Sequence, residues 1–332
     1  MKYFSFITFL LFLCTSCNQL KQINFVEHQA FNETQFSDSL RIEFNGVASF
    51  YIQYKGSAVL TDPFLSNPSF SKVIFGKIKP DQELINKFNP KTKYIKILSL
   101  SHSHYDHILD LPYFIPHLDD STKIVGSRNS IILTKSLNIK QECIDIAAIK
   151  ADTGKLGTWV YSADSTVRIM AIQSAHPPHI LGMLFYKGQY GSIPSSYPDK
   201  AKNFKQDETL AYLIDFLNSV HEPEKRIYFS SSSASFPYGY FPQKELVKKN
   251  IDVAIISLAL FHKAENYPQH LIKYLKPTVT IPCHWENTFN TRDNKLKPVA
   301  MTSIKSYLAE IEDLKGITEF HFIKPGYSWK MK

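Results

Sequence analysis

The sequence predicts an α/β fold, with β-sheets covered by helices, and three observations carry that prediction. The chain has 332 residues, of which 44% are hydrophobic, 14% aromatic and 20% charged. That is a globular composition, long enough to close a large core. From Leu40 onward, short β-rich runs are split by turn pairs, and farther along helical stretches alternate with more β-rich runs. No internal repeat is visible, which excludes solenoids and propellers.

The elements follow in order. Arg41-Ile42-Glu43-Phe44, Phe50-Tyr51-Ile52-Gln53-Tyr54 and Ala58-Val59-Leu60-Thr61 are separated by Asn45-Gly46 and Lys55-Gly56, so a β-meander opens the domain. A helix is expected over Asp81 to Phe88 and a strand over Tyr94 to Leu100. Further strands are expected at Lys123 to Val125, Thr158 to Tyr161, Val167 to Gln173, Thr209 to Phe216, Arg226 to Phe229, Val253 to Leu258 and Thr278 to Ile281. Helices are expected near Ser130 to Leu137, Pro242 to Lys249, Pro268 to Leu275 and Ser303 to Leu314. An insertion at about residues 177–207 is rich in Gly, Pro, Ser, Tyr and Lys without a period. It carries Tyr186, Tyr190 and Tyr197 and is expected to select substrate or face a membrane.

The N-terminus reads as an address. Lys2, an apolar run from Phe4 to Leu13 and the stretch Cys14-Thr15-Ser16-Cys17 have the charge, apolar core and small-residue end of a secretory signal. The run is shorter than the roughly 20 residues that a spanning helix needs. The end resembles a bacterial lipobox with Cys17 as the lipidated residue. Residues 1–17 are thus expected to be a lipoprotein signal peptide, 18–38 a flexible tether and 39–332 the folded domain. This implies export and a lipid anchor on a bacterial membrane, at a periplasmic or cell-surface face. Lys and Arg number 38 against 30 Asp and Glu, and the excess is spread along the chain without a basic stripe, so no nucleic-acid partner is expected.

The chemistry sits in Ser101-His102-Ser103-His104-Tyr105-Asp106-His107, at the end of a β-rich run. His102 and His104, two apart where a strand ends, can face one cavity, and Asp106 and His107 can reach it from the start of a helix. Imidazole and carboxylate are good zinc ligands, and two clustered pairs leave room for two neighbouring ions.

This run resembles the HxHxDH signature of the metallo-β-lactamase superfamily. In its fuller form, with Asp110, it looks most like the branch of phospholipase-D-type enzymes acting on N-acylphosphatidylethanolamine. The resemblance runs from about Arg41 to the C-terminus and implies an αββα sandwich of two mixed sheets flanked by helices. It also implies that Asp62 supports the ligands from behind, that His176 and His284 complete them, and that Thr288-Phe289 fits the same branch. By resemblance His102, His104 and His176 hold one zinc ion, and Asp106, His107 and His284 a second. Asp106 can instead serve as general base. His179 is an alternative to His176, and His262 is the other histidine placed to reach the site.

One motif departs. The family's bridging aspartate is replaced, in Arg226-Ile227-Tyr228-Phe229-Ser230-Ser231-Ser232, by Ser232. Paired ions sit only about 3.5 to 4 Å apart, so losing a shared carboxylate weakens the second site unless Asp207, Glu208 or Glu286 substitutes. The expected function is hydrolysis by a zinc-activated water, on phosphodiester or phospholipid-like substrates. Small-molecule or lipid-like compounds and the membrane are the expected partners. The alternative is a degenerate lipoprotein that binds metal or ligand without turnover, a reading fed by Ser232. An oxidoreductase of the flavodiiron type is disfavoured because His104 stands where that branch carries Glu. Tyr105, Trp285, Phe236 and Tyr238 are expected to wall the pocket.

Overall fold

A computed structural model describes residues 20–29, 38–88, 91–178, 186–289 and 296–331. The first sheet has eight strands in the order His28–Gln29, Tyr327–Met331, Leu40–Gly46, Ser49–Tyr54, Ser57–Thr61, Ile95–Leu100, Lys123–Gly126 and Glu142–Asp145. Pairing is antiparallel as far as Ser57–Thr61 and parallel beyond it. The second sheet has seven, ordered Glu319–Phe320, Val279–Cys283, Val253–Ser257, Pro223–Ser230, Thr209–Leu217, Val167–Ser174 and Val160–Tyr161. It changes from parallel to antiparallel at Pro223–Ser230. Both sheets are therefore mixed, and helices such as Gln82–Phe88, Arg128–Lys135 and Gln269–Leu275 accompany them.

The strands form where predicted because both of their faces are buried. All six residues of Ser49–Tyr54 are buried, and so are all nine of Thr209–Leu217. Across the sheets Phe50 meets Phe229 edge-on at 6.4 Å between ring centroids, and Tyr54 meets Phe216 at 6.0 Å. Apolar and aromatic side chains fill such a layer without leaving polar groups unpaired. The expected helix over Ser303 to Leu314 is divided into the helix Ile304–Glu310 and a 3-10 turn at Glu312–Leu314. Among the described residues no helix is long and apolar enough to cross a membrane.

The expected tether over residues 18–38 needs correction. Phe25–Val26 pairs with Phe322–Ile323, and His28–Gln29 pairs with Tyr327 and Ser328. Ile23 is buried, and the Phe25 ring lies 4.8 Å from Trp285. Two-residue strands are too short to show a period, so their partners at the far end of the chain alone reveal them. The signal peptide, Cys17 and residues 30–37 lie outside the described residues.

The insertion is strapped down over residues 186–207. Asn129 Nδ2 donates to the carbonyls of Gly188 and Lys205 at 2.8 and 2.6 Å, and its Oδ1 accepts from the Tyr190 amide. Ser103 Oγ donates to the Lys205 carbonyl at 2.6 Å, and the Tyr197 hydroxyl donates to the Ile108 carbonyl. The strap thus grips the segment that carries Asp106 and His107 at both of its ends.

Candidate metal centre

The centre lies where strands of both sheets end. Strand Ile95–Leu100 runs into the extended residues 101–104 and then the helical turn Tyr105–Ile108. Alternation along extended chain brings His102 and His104 together with 4.8 Å between ring centroids. The turn returns His107 to within 3.9 Å of His102. His176 follows the end of Val167–Ser174 and His284 the end of Val279–Cys283. Their rings lie 5.1 Å from His104 and 5.7 Å from His107, respectively.

Two residues here adopt left-handed backbone without being glycine, Asp62 at φ 35° and His284 at φ 54°. Such conformations cost energy and persist where neighbours dictate them. The Asp62 amide donates to Ser99 O at 2.9 Å and the His284 amide to Val47 O at 2.6 Å, so each reversal is locked to an adjacent strand or turn.

Asp62 is fully buried and organises the ligands from behind. Its Oδ1 accepts from the Ser101 amide at 2.7 Å, and its Oδ2 accepts from Ser101 Oγ at 2.5 Å and from His107 Nδ1 at 2.9 Å. His107 therefore keeps its Nε2 lone pair for another partner. Because Ser101 Oγ spends its proton on Asp62, the contact of 3.1 Å between that oxygen and His102 Nδ1 must be donated by the imidazole. His102 Nε2 is then a bare lone pair, buried without a hydrogen-bond partner. His176 Nδ1 donates to the Pro177 carbonyl at 2.7 Å, which likewise sets its tautomer.

The charges of His102 and Asp106 agree with this arrangement. Burial, then the neighbouring histidines, push His102 well below the usual imidazole range, which keeps it neutral. Burial would raise Asp106, but His107 and His284 together hold its carboxyl well below the carboxylate range. Burial opposes and Asp106 and Asp62 favour protonation of His107, with a net upward shift.

The residues present fit a metal. His102, His104 and His176 form one group, and Asp106, His107 and His284 another, in each of which the donor atoms lie within 4.8 Å of one another. His102 Nε2 is a buried orphan, a cost a cation would remove, and the Nε2 atoms of His107 and His284 lie 3.8 and 3.6 Å from Asp106 Oδ2. The six residues expected as ligands are thus brought together, with Asp62 behind them. Ser232 is buried and lines the cavity beside Ser231.

Other expectations are corrected. None of the three substitute carboxylates belongs to either ligand group. Asp207 accepts from Ser127 Oγ and the Asn129 amide at the start of Arg128–Lys135, Glu208 pairs with Lys150, and Glu286 accepts from the Val47 amide. Each is held by a nearer donor in the folded chain. Trp285 is wholly buried against Phe25 and Phe44, in the core and not on the pocket wall. Phe236 and Tyr238 are exposed and, like His262, do not line the cavity. His179 lies outside the described residues.

Above the ligands opens a cavity of about 270 Å³, and Tyr105 does line it, as does Tyr186. Most of its wall was not anticipated from sequence. Phe70, Val73 and Ile74 come from the helix Phe70–Phe75, and Phe289, Val299 and Met301 from the segment after His284. The spacing of Phe70, Val73 and Ile74 by three and four was the legible signal.

Residues 42–160 match the family model of the metallo-beta-lactamase superfamily. The architecture, two mixed sheets with flanking helices, is the metallo-β-lactamase fold. Igni18, a metallo hydrolase from the archaeon Ignicoccus hospitalis, is similar with a TM-score of 0.52 at 15% identity, over 89% of this chain and 99% of that one. A possible metal-dependent hydrolase from Veillonella parvula is similar with a TM-score of 0.52 at 12% identity, over 90% and 100%. CmlA, a β-hydroxylase, is similar with a TM-score of 0.51 at 13% identity, over 90% of this chain and 54% of that one. No curated protein sequence matches the chain significantly.

Proposed function

We propose that the chain is a metal-dependent hydrolase of the metallo-β-lactamase superfamily, zinc-loaded and acting on phosphodiester or phospholipid-like substrates. The observation that carries this is the pair of ligand groups, with His102 Nε2 buried and unsatisfied, at the base of an apolar cavity. A zinc ion held by three histidines lowers the pKa of a coordinated water toward about 7 and so makes a nucleophile at neutral pH. Asp106, kept ionised beside His107 and His284, accepts a proton or orients the attacking group. Asp62 holds the His107 tautomer, and Phe70, Val73, Phe289 and Val299 shelter the reacting bond from bulk water and seat an apolar substituent. Export and anchoring through Cys17 belong to the same proposal and rest on the N-terminal sequence.

The test is zinc content per chain by mass spectrometry on the full chain, with hydrolysis of bis(p-nitrophenyl) phosphate and of an acylated phosphodiester before and after chelation. Chelator-sensitive turnover that His104→Ala, His176→Ala abolishes together with tight zinc binding is expected. Ser232 favours a second reading, a ligand-binding lipoprotein without turnover. Zinc-replete protein that hydrolyses neither compound would make that reading the better one.

A further inference from the structure

The two ligand groups lie side by side and together hold a single carboxylate among the described residues. The His102 and His107 rings are only 3.9 Å apart, so the groups adjoin. Among the described residues Asp106 is the sole carboxylate in either group. Asp62 spends both oxygens on Ser101 and His107, behind the ligands. Ser231 Oγ donates to Ser101 Oγ at 2.6 Å, and Ser231 and Ser232, both neutral, line the cavity. Asp207, Glu208 and Glu286 are held elsewhere, by Ser127, Lys150 and the Val47 amide.

Two dications side by side repel four times as strongly as two unit charges, and burial of His102 and His107 removes the water that would screen them. A shared carboxylate offsets that repulsion and a hydroxyl does not. The cavity that reaches both groups, through His104 and His176 on one side and Asp106 and His284 on the other, can admit an external anion to the same place.

We propose that the centre binds one divalent ion tightly and a second only weakly, and that an anionic oxygen group of the phosphodiester class, seated beside Ser232, supplies the missing negative charge and couples to the second ion. By linkage the coupling is reciprocal: the second ion strengthens anion binding by the same factor that the anion strengthens the second ion. The substrate then completes the centre that acts on it. This inference rests on the metal-centre reading above, but its readout is binding and not turnover.

The experiment is calorimetric titration of the metal-free full chain with Zn²⁺, alone, with diethyl phosphate, and with uncharged triethyl phosphate. The expected result is two steps separated by about a hundredfold or more, the second strengthened about tenfold by diethyl phosphate and unmoved by triethyl phosphate. Ser232→Asp should bring the two steps within about tenfold and remove the diethyl phosphate effect, while the neutral Ser232→Asn keeps the wild-type pattern. Two equally tight ions without any anion would overturn the proposal, as would a second step indifferent to diethyl phosphate. Should Ser232→Asp fail to fold, the anion dependence of the unmodified chain decides alone. Hydrolysis of bis(p-nitrophenyl) phosphate in the same samples separates the two ideas, since the loading pattern without turnover would sink the hydrolase and leave this inference standing.

Discussion

His102 and Asp62 show how single atoms set the character of the centre. Ser101 Oγ accepts protons from His102 and Ser231 and gives its own to Asp62, so one hydroxyl fixes the imidazole tautomer and helps to place the carboxylate. Asp62 accepts three hydrogen bonds in a fully buried position. Asp62→Asn turns one acceptor into a donor facing donors, and stability should fall by about 2 to 3 kcal/mol in urea unfolding of the full chain. Zinc affinity should drop about 10-fold to 100-fold, because His107 is no longer held in its ligating tautomer. A variant with unchanged zinc affinity would show that Asp62 is structural alone.

At the scale of elements, the second sheet carries a buried ion cluster that the metal centre does not use. Asp215 and Arg226 face each other on neighbouring antiparallel strands, both fully buried, with Nε to Oδ1 at 2.6 Å and Nη2 to Oδ2 at 2.8 Å. Arg226 Nη1 also donates to the carbonyls of Glu245 and Lys249, which ties the helix Lys244–Lys248 to the sheet. Arg168 holds the other side of Asp215 and lies over the Trp159 ring at 4.3 Å. Removing Arg226 strands part of a buried charge, so Arg226→Met should destabilise by about 3 kcal/mol, the low end for a broken buried pair because Arg168 remains. The double variant Asp215→Leu, Arg226→Met should recover part of that loss, and a double variant worse than the sum of the singles would refute this account. The same strand, Pro223–Ser230, delivers Ser232 to the cavity. Its register therefore matters to the chemistry as well as to the core.

For the whole molecule, the two sheets are clasped at the end away from the ligands by polar contacts. Lys96 in the first sheet pairs with Asp164 beside the second at 2.6 Å, and Ser57 Oγ meets Thr166 Oγ1 at 2.7 Å. Burial pushes the Asp164 carboxyl up, but Lys96, Thr166 and Ser162 outweigh it and bring the pKa down to about 2. A depressed carboxylate contributes stability that is complete above its unfolded value of about 3.9 and is lost as pH falls through the folded value. Asp164 keeps 39% of its side chain exposed, so solvent screening keeps the contribution below about 1 kcal/mol. Asp164→Asn should therefore be less stable than the parent at pH 5, with the gap closing as pH falls toward 2. A gap that stays constant between those pH values would remove the clasp from the stability account.

Much of this was legible from residues in order. The β-meander, the alternation that follows and the helices near Gln82, Lys244 and Gln269 follow from local period and turn chemistry, which neighbouring residues determine. The clustering of the six candidate residues was legible because histidines and aspartates gathered at strand ends have few other economical explanations. The rest depended on parts of the chain distant in sequence. Phe25–Val26 is a strand only because Phe322–Ile323 lies beside it. Glu286, Asp207 and Glu208 are acidic residues near the motifs in sequence, yet their charges were assigned elsewhere by Val47, Ser127 and Lys150. The apolar wall made by Phe70, Val299 and Met301 joins segments more than two hundred residues apart. Residue chemistry and local spacing are written in the chain itself, so the sequence alone determined the fold class and which residues were candidate donors. Which donors share a cavity, and which charges are already spent, are matters of distance in space, and those only the tertiary structure decided.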